Sequence, residues 1–169
     1  FTWFEAPLPD YDFAGYKKIT NSVGIKVIPS GNWVADLQRF SEAINNKIWS
    51  ATRTDMAMMG GITNCKKAMD ISEIGGLDCE IMSWGYTLVS VANLHLMLSS
   101  NNCSFYEQPL PYETFEFGMK DVLRTSKDGY MYAPTKPGLG VEIDWDKMKT
   151  KIINSFYFDK NKKVGLVHS

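Results

Sequence analysis

The sequence is poor in the features that announce most functional classes. It holds two histidines and three cysteines, Cys65, Cys79 and Cys103, widely spaced and without a CxxC pair. That pattern argues against a disulfide framework and suits reduced thiols packed as small core residues in a cytoplasmic protein. Neither charge is in excess, since 18 Lys+Arg face 19 Asp+Glu with no long run of one sign, and so no basic footprint for nucleic acid or an anionic membrane is present. No apolar stretch approaches the roughly 18 residues of a membrane span, and no basic-then-apolar leader opens the chain. Glycine-rich phosphate loops, HExxH and GxSxG are missing too. So is an initiator Met: Phe1 runs almost directly into a β-type segment, and the expectation is a piece of a longer chain.

What is there is enough apolar chain for one globular domain with a sizeable core: 169 residues, 44% of them hydrophobic. Short β-type runs alternate with amphipathic helical stretches. The run TWFEAPLP carries Glu5 at its end, a carboxylate that is costly to bury unless something compensates it. Asp10 then reads as an N-cap before Phe13, Tyr16, Ile19 and Val23 at helical spacing. IKVIPS ends at Ser30, Gly31 and Asn32, and Val34, Leu37, Phe40 and Ile44 mark the next helix. SATRTD ends at Asp55, and a helix through Cys65, Ala68, Met69 and Ser72 closes at Gly75-Gly76. LDCEIMS ends at Ser83, and Leu88, Val91, Ala92, His95 and Leu98 share a helical face. A fifth run, CSFYE, ends at Glu107.

The polar strand ends Glu5, Asn32, Asp55, Ser83 and Glu107 recur every ~25 residues, about one strand-helix unit. In parallel βα folds such ends converge on one face, which in the (β/α)8 barrel carries the active site. The expected fold is therefore α/β, a partial TIM-type barrel of about five parallel strands, with two strand edges left for more chain or a second copy to cover. Residues 1–108 form this barrel part. Residues 109–158, rich in proline, glycine and aromatics, read as an extension that packs back on it, with a hairpin around Lys127, Asp128 and Gly129 and a short strand near Val141 to Ile143. Residues 159–169 read as a flexible terminus.

WFEAP, the GGIT segment after Asp55, and GYMYAPTKPGLGVEIDW together resemble the C-terminal catalytic region of the enolase superfamily, in its mandelate racemase/muconate lactonizing branch, from about Thr2 to Trp145. The resemblance implies one Mg2+ held by oxygen ligands at the strand ends and a carboxylate substrate whose α-proton is removed, the metal stabilising the resulting enediolate. It makes Glu5 a metal ligand. It places the next ligand, usually Glu, within PSGNW, where Asn32 stands, or Gly31 if no gap is allowed; the Asn32 amide oxygen can serve, with one negative charge fewer at the site. Asp55 matches an Asp that normally orients a His on the following strand; that His falls within EIMSWGY, where Trp84 stands, and an indole has no basic nitrogen. Glu107 resembles the carboxyl group that hydrogen-bonds the substrate carboxylate as an acid. A lysine base and a first Asp ligand are implied upstream of Phe1.

The functional expectation is thus the C-terminal catalytic part of a Mg2+-dependent isomerase or lyase acting on a hydroxy-carboxylate or acid sugar. Glu5 and Asn32 are its candidate metal ligands, Asp55 and Glu107 its candidate catalytic groups, and Trp84 and Ser83 its candidate substrate contacts. The chain is expected to need upstream residues or to form a homo-oligomer. The alternative is an inactive or degenerate member with a structural or self-association role, in which Asp55 caps its turn and Glu5 is a salt-bridged strand end. Trp33, Trp84 and Tyr86 hint at a ring-stacking pocket. His95 reads as a hydrogen-bonded core histidine and His168 as solvated.

Overall fold

The computed structural model describes residues 1–31, 34–83, 85–159 and 162–168, with Thr87 and everything from residue 155 onward described by backbone alone. Four of the β-type runs form short strands, each followed by a helix: β1 (Trp3–Glu5), α1 (Phe13–Thr20), β2 (Lys26–Ile28), α2 (Leu37–Asn45), β3 (Thr52–Thr54), α3 (Ile62–Ile74), β4 (Cys79–Ile81) and α4 (Thr87–Leu98). β1 pairs in parallel with β2, Glu5 opposite Ile28, and β3 pairs in parallel with β4, Arg53 opposite Glu80. Ser50 laces the two pairs together. Its N–H donates to the Val27 carbonyl at 3.1 Å, and its hydroxyl accepts from the Val27 N–H at 2.6 Å.

The first three helices begin where an aspartate or a glycine turns the chain, whereas α4 starts after Tyr86 with no side-chain cap. Asp36 caps α2 by accepting from the Gln38 and Arg39 N–H groups. Asp12 caps α1 by accepting from Gly15, a correction to the expected Asp10, which is buried with other partners. α1 also stops short of Val23, which stays 40% exposed. Gly60 and Gly61, with φ of +74° and +124°, turn the chain into α3 through backbone conformations that a side chain would strain.

The core lies between the helices and the outer face of the strands, built on Tyr16, Phe40, Trp49, Met69, Ile81 and Leu96. Trp49 gathers three rings, with centroids of Phe13, Phe40 and Tyr16 at 5.8, 6.0 and 6.4 Å. Cys65 and Cys79 sit in this layer, where burial pushes their thiols up to about 12 and about 11, so they are protonated packing groups. In α4, Val91 and Ala92 are buried as expected, but Leu88 and Leu98 are 38% and 54% exposed. This helix is apolar on nearly every side, so its period says little about which face turns inward.

The fifth run lies beside β4 without a strand ladder. Cys79 N–H donates to Asn102 O at 2.7 Å, but the N–H groups of Ser104 and Phe105 both turn to the Glu80 carboxylate, each at 3.3 Å. Two consecutive N–H groups on one acceptor break the alternation that a strand requires. Beyond it come α5 (Tyr112–Phe115), α6 (Trp145–Lys149), and a bridge between Met119 and Ile143. The hairpin expected around Lys127 to Gly129 is a turn only, closed by Ser126 N–H donating to Tyr130 O with no strands paired on either side among the described residues. His95 Nε2 lies 3.1 Å from Leu139 O, tying the extension to α4. The terminus expected to be flexible carries an antiparallel hairpin, β5 (Asn154–Asp159) with β6 (Lys162–His168); the apolar, β-prone residues of FYF and VGLV supply the propensity.

Candidate functional site

Period-two alternation stacks two layers of side chains inside the curved strand layer. Trp3 and Phe105 meet edge to face with centroids 5.0 Å apart. Two residues further along each segment, Glu5 and Glu107 converge on Arg53. The guanidinium donates to Glu107 Oε1, and its Nη1 lies 3.5 Å from Glu5 Oε2. The Arg53 side chain is 1% exposed, against 39% for Glu5 and 27% for Glu107. A buried cation thus stands between two carboxylates at the mouth of the strands, and it supplies part of the compensation that Glu5 demanded.

Sequence reasoning missed Arg53, although a signal was present. An arginine inside the short buried run SATRTD requires an anionic partner, and it lies two residues before Asp55, on the same side of the strand. Its Nε and Nη1 have no hydrogen-bond partner among the described residues, an uncommon state for buried donors. Glu5 is pulled the other way: its burial holds its carboxyl above the ordinary value, outweighing Arg53, while Glu107 adds to the rise.

The remaining strand-end residues hold the frame. Asp55 is 3% exposed; its Oδ1 accepts from the N–H groups of Ala57 at 2.7 Å and Met58 at 3.0 Å, and its Oδ2 accepts from Asn93 Nδ2 at 2.8 Å. Asn93, fully buried in α4, also donates to Met82 O and accepts from Met56 N–H, stapling the ends of β3 and β4. Ser83 is fully buried. Its hydroxyl accepts from Glu107 N–H at 2.6 Å and lies 3.2 Å from Glu107 O, so it holds the backbone of Glu107. Tyr86 is 67% exposed, with the Phe115 ring 6.0 Å away. Asn32, Trp33 and Trp84 lie outside the described residues.

Among the described residues no group of three or more His, Cys, Asp or Glu is arranged to hold a metal ion. What the chain offers a divalent cation is oxygen, from the partly exposed Glu5 carboxylate and from the amide that the sequence supplies at Asn32. An oxygen-only donor set fits Mg2+ in kind and falls short of its six ligands in number. Of these, only the Glu5 carboxylate lies among the described residues, partly exposed and beside the Arg53 guanidinium. No helix among the described residues is long and apolar enough to cross a membrane.

Comparison with known proteins agrees with this architecture. The Enolase C-terminal domain-like family model matches residues 1–147. A crystal structure described as a mandelate racemase/muconate lactonizing enzyme from Pseudovibrio sp. superposes with a TM-score of 0.89 at 37% identity, covering 100% of this chain and 43% of that one. D-glucarate dehydratase from Agrobacterium tumefaciens, complexed with magnesium, superposes with a TM-score of 0.77 at 28% identity, covering 89% of this chain and 39% of its own. A D-galactonate dehydratase family member of Salmonella virchow is 32% identical over 122 residues, 69% of this chain and 28% of the relative. The chloromuconate cycloisomerase of Cupriavidus necator is 26% identical over 157 residues, 86% of this chain and 39% of the relative. The chain thus spans well under half the length of these relatives. The expected fold, a partial TIM-type barrel, stands.

Proposed function

Because this chain belongs to the Enolase C-terminal domain-like family, we propose that it forms part of the catalytic barrel of a Mg2+-dependent isomerase or lyase, cytoplasmic, that removes the α-proton of a hydroxy-carboxylate or acid sugar. The observation that carries this reading is the Glu5–Arg53–Glu107 cluster at the strand ends. Relatives named as D-galactonate dehydratase family members and as a D-glucarate dehydratase with magnesium point to the same substrate class.

In this reading Glu5 and Asn32 are oxygen ligands, with the remaining ligands and the lysine base supplied from outside this chain. The cation, when bound, stabilises the negative charge that develops as the proton leaves. Arg53, whose Nε and Nη1 are shut off from solvent, acts beneath the substrate carboxylate by holding Glu5 and Glu107 in place. Glu107, fixed by Arg53 and by Ser83, is the carboxyl group beside that substrate carboxylate, and Trp84 walls the pocket. Asp55 is committed to Asn93 and to its own turn, so we assign it a positioning task. Without a His–Asp pair on the β3–β4 side, one-base chemistry such as syn-dehydration, epimerization or cycloisomerization is favoured over two-base racemization.

Calorimetric titration of Mg2+ into the chain, with Glu5→Gln as control, tests the ligand assignment. Proton exchange of D-galactonate and D-glucarate in D2O, with Mg2+ present and the upstream part of the barrel supplied in the same polypeptide, tests the reaction class. Saturable heat that Glu5→Gln abolishes supports the enzyme reading. A folded sample that shows neither binding nor exchange favours the second reading, a degenerate member with a structural role. The guanidinium beside Glu5 is the feature that speaks for that alternative, since it lowers the negative potential available to a cation.

A further inference from the structure

The segment that carries Glu107 is tied down by side chains. Among the described residues, no backbone-to-backbone hydrogen bond joins residues 104–110 to the rest of the chain, whereas a strand inside a sheet is held by its ladder. Glu80 takes the N–H groups of Ser104 and Phe105, the Tyr106 hydroxyl meets that of Ser90 in α4, and Ser83 takes the N–H of Glu107. These tethers come from β4, its exit and α4.

A further tether comes from the extension. Gln108 follows Glu107, and its Nε2 donates to Leu123 O at 3.0 Å while its Oε1 accepts from the Thr125 N–H at 3.0 Å and from the Thr125 hydroxyl at 2.6 Å. Taking the carbonyl of one residue and the N–H two positions on is how a residue pairs with a parallel strand, so the Gln108 amide stands in for a ladder that the backbone does not form. The support is itself anchored. Arg124, between the two bonded residues, pairs with Glu116 and lies over the Tyr112 ring, its guanidinium carbon 4.0 Å from the centroid. Past Gln108 the backbone offers few donors of its own, because Pro109 and Pro111 have no N–H.

Glu107 thus sits between two fixtures, Ser83 on the side of β4 and Gln108 on the side of the extension, and its carboxylate accepts from Arg53 Nη2. The Arg53 side chain is buried, so its guanidinium has no room to follow a carboxylate that drifts; the pairing requires the run to end in one place. We propose that the extension is a functional part of the site: Gln108 is a positioning residue that ties the end of the fifth run to residues 123–125 and so keeps the Glu107 carboxylate on Arg53. The inference rests on reading Glu107 as the carboxyl group beside the substrate carboxylate.

The test follows the Arg53 guanidinium of the 169-residue chain by 1H–15N NMR, with hydrogen exchange of its Nε–H in D2O as the readout and circular dichroism melting as the check on folding. Gln108→Ala is expected to speed that exchange about 10-fold, the size of one or two lost hydrogen bonds. Gln108→Glu, which keeps an acceptor for the Thr125 N–H and hydroxyl, recovers part of the difference. Phe40→Leu, which thins the core between the helices, lowers the melting temperature and leaves Arg53 exchanging at the wild-type rate. Gln108→Ala exchanging as slowly as wild type overturns the proposal, and so does Phe40→Leu speeding exchange as much as Gln108→Ala, because the effect is then one of general stability. In a polypeptide that also carries the upstream part of the barrel, Gln108→Ala is expected to slow proton exchange of D-galactonate or D-glucarate about 10-fold or more through kcat, since a displaced group costs rate rather than binding. A wild type that exchanges neither acid sugar, or Glu107→Gln that exchanges as fast as wild type, removes the reading of Glu107 and the catalytic half of the proposal with it, while the guanidinium readout decides the tether by itself.

Discussion

Two clusters of one cation between two carboxylates lie in different regions of this molecule. In the barrel part, Arg53 stands between Glu5 and Glu107 with its side chain 1% exposed. In the extension, Lys136 stands between Asp121 at 2.8 Å and Glu142 at 3.2 Å with its side chain 50% exposed. The formal charges are the same and the physics is not. Water screens the lysine cluster, and long side chains must be ordered to make it, so such pairs contribute little. Around Arg53 there is little water to replace a lost partner, so each group there depends on the others. A count of ion pairs would rate the two clusters alike; burial separates a frame whose members depend on one another from a solvated surface cluster.

The comparison breaks most visibly at Arg53. Arg53→Met leaves Glu5 and Glu107 facing each other without a cation and is expected to destabilise the chain by about 3 kcal/mol, at the low end for a broken buried pair because both carboxylates are partly solvated. Urea unfolding measures it, and adding Glu107→Gln should restore part of the loss; a fully additive double variant would mean that the two side chains are not coupled. Next is Asn93→Ala, which strips a donor from Asp55 and partners from Met56 N–H and Met82 O. Leaving buried polar groups unpaired is expected to cost about 2 kcal/mol, again read in urea.

The pH dependence sharpens the comparison on a smaller scale. Burial holds the Glu5 carboxyl above its ordinary value of 4.5, so the folded chain binds that proton more tightly than the unfolded chain does. Stability from this group is therefore greatest below the ordinary value, and it is lost as pH rises from there through the raised one. Thermal melts across that window should show this decline in wild type and its absence in Glu5→Gln; an identical slope in both would remove Glu5 as its source. The smallest effect belongs to Lys136→Ala, for which no measurable change in unfolding midpoint is expected at physiological salt. A clear loss there would mean that the surface cluster is not the screened pair its exposure implies.

Much of the barrel was legible from periodicity. The strand runs ending at Glu5, Asp55 and Ser83 and the helix through Cys65, Ala68, Met69 and Ser72 lie where the pattern put them, because alternation of apolar runs with polar ends is a local property of the chain. The arrangement of Glu5 and Glu107 around one point was also readable, since both close a strand run. What the pattern could not carry was the identity of contacts between distant residues. Arg53 drew no reading at all, Asp10 looked like a helix cap, and Ser83 like a group facing substrate. Each owes its task to a partner 20 or more residues away, and no window of sequence contains both members. α4 was ambiguous for a different reason: a helix apolar on most sides has no strong period to read.

The Glu80 carboxylate that gathers the Ser104 and Phe105 N–H groups bears on solubility. A strand at the open side of a sheet is a template on which other chains can grow, and it is most dangerous when flat, apolar and regularly hydrogen-bonded. The segment from Cys103 to Glu107 carries two aromatic residues beside β4, and two of its amides turn onto one carboxylate acceptor. The regular row of donors that an incoming strand would read is interrupted there, and a buried acid does the work usually given to a proline or a surface lysine. Replacing Glu80 with Gln would halve the acceptors on that side chain, and the consequence to watch for is sticking between chains rather than loss of fold.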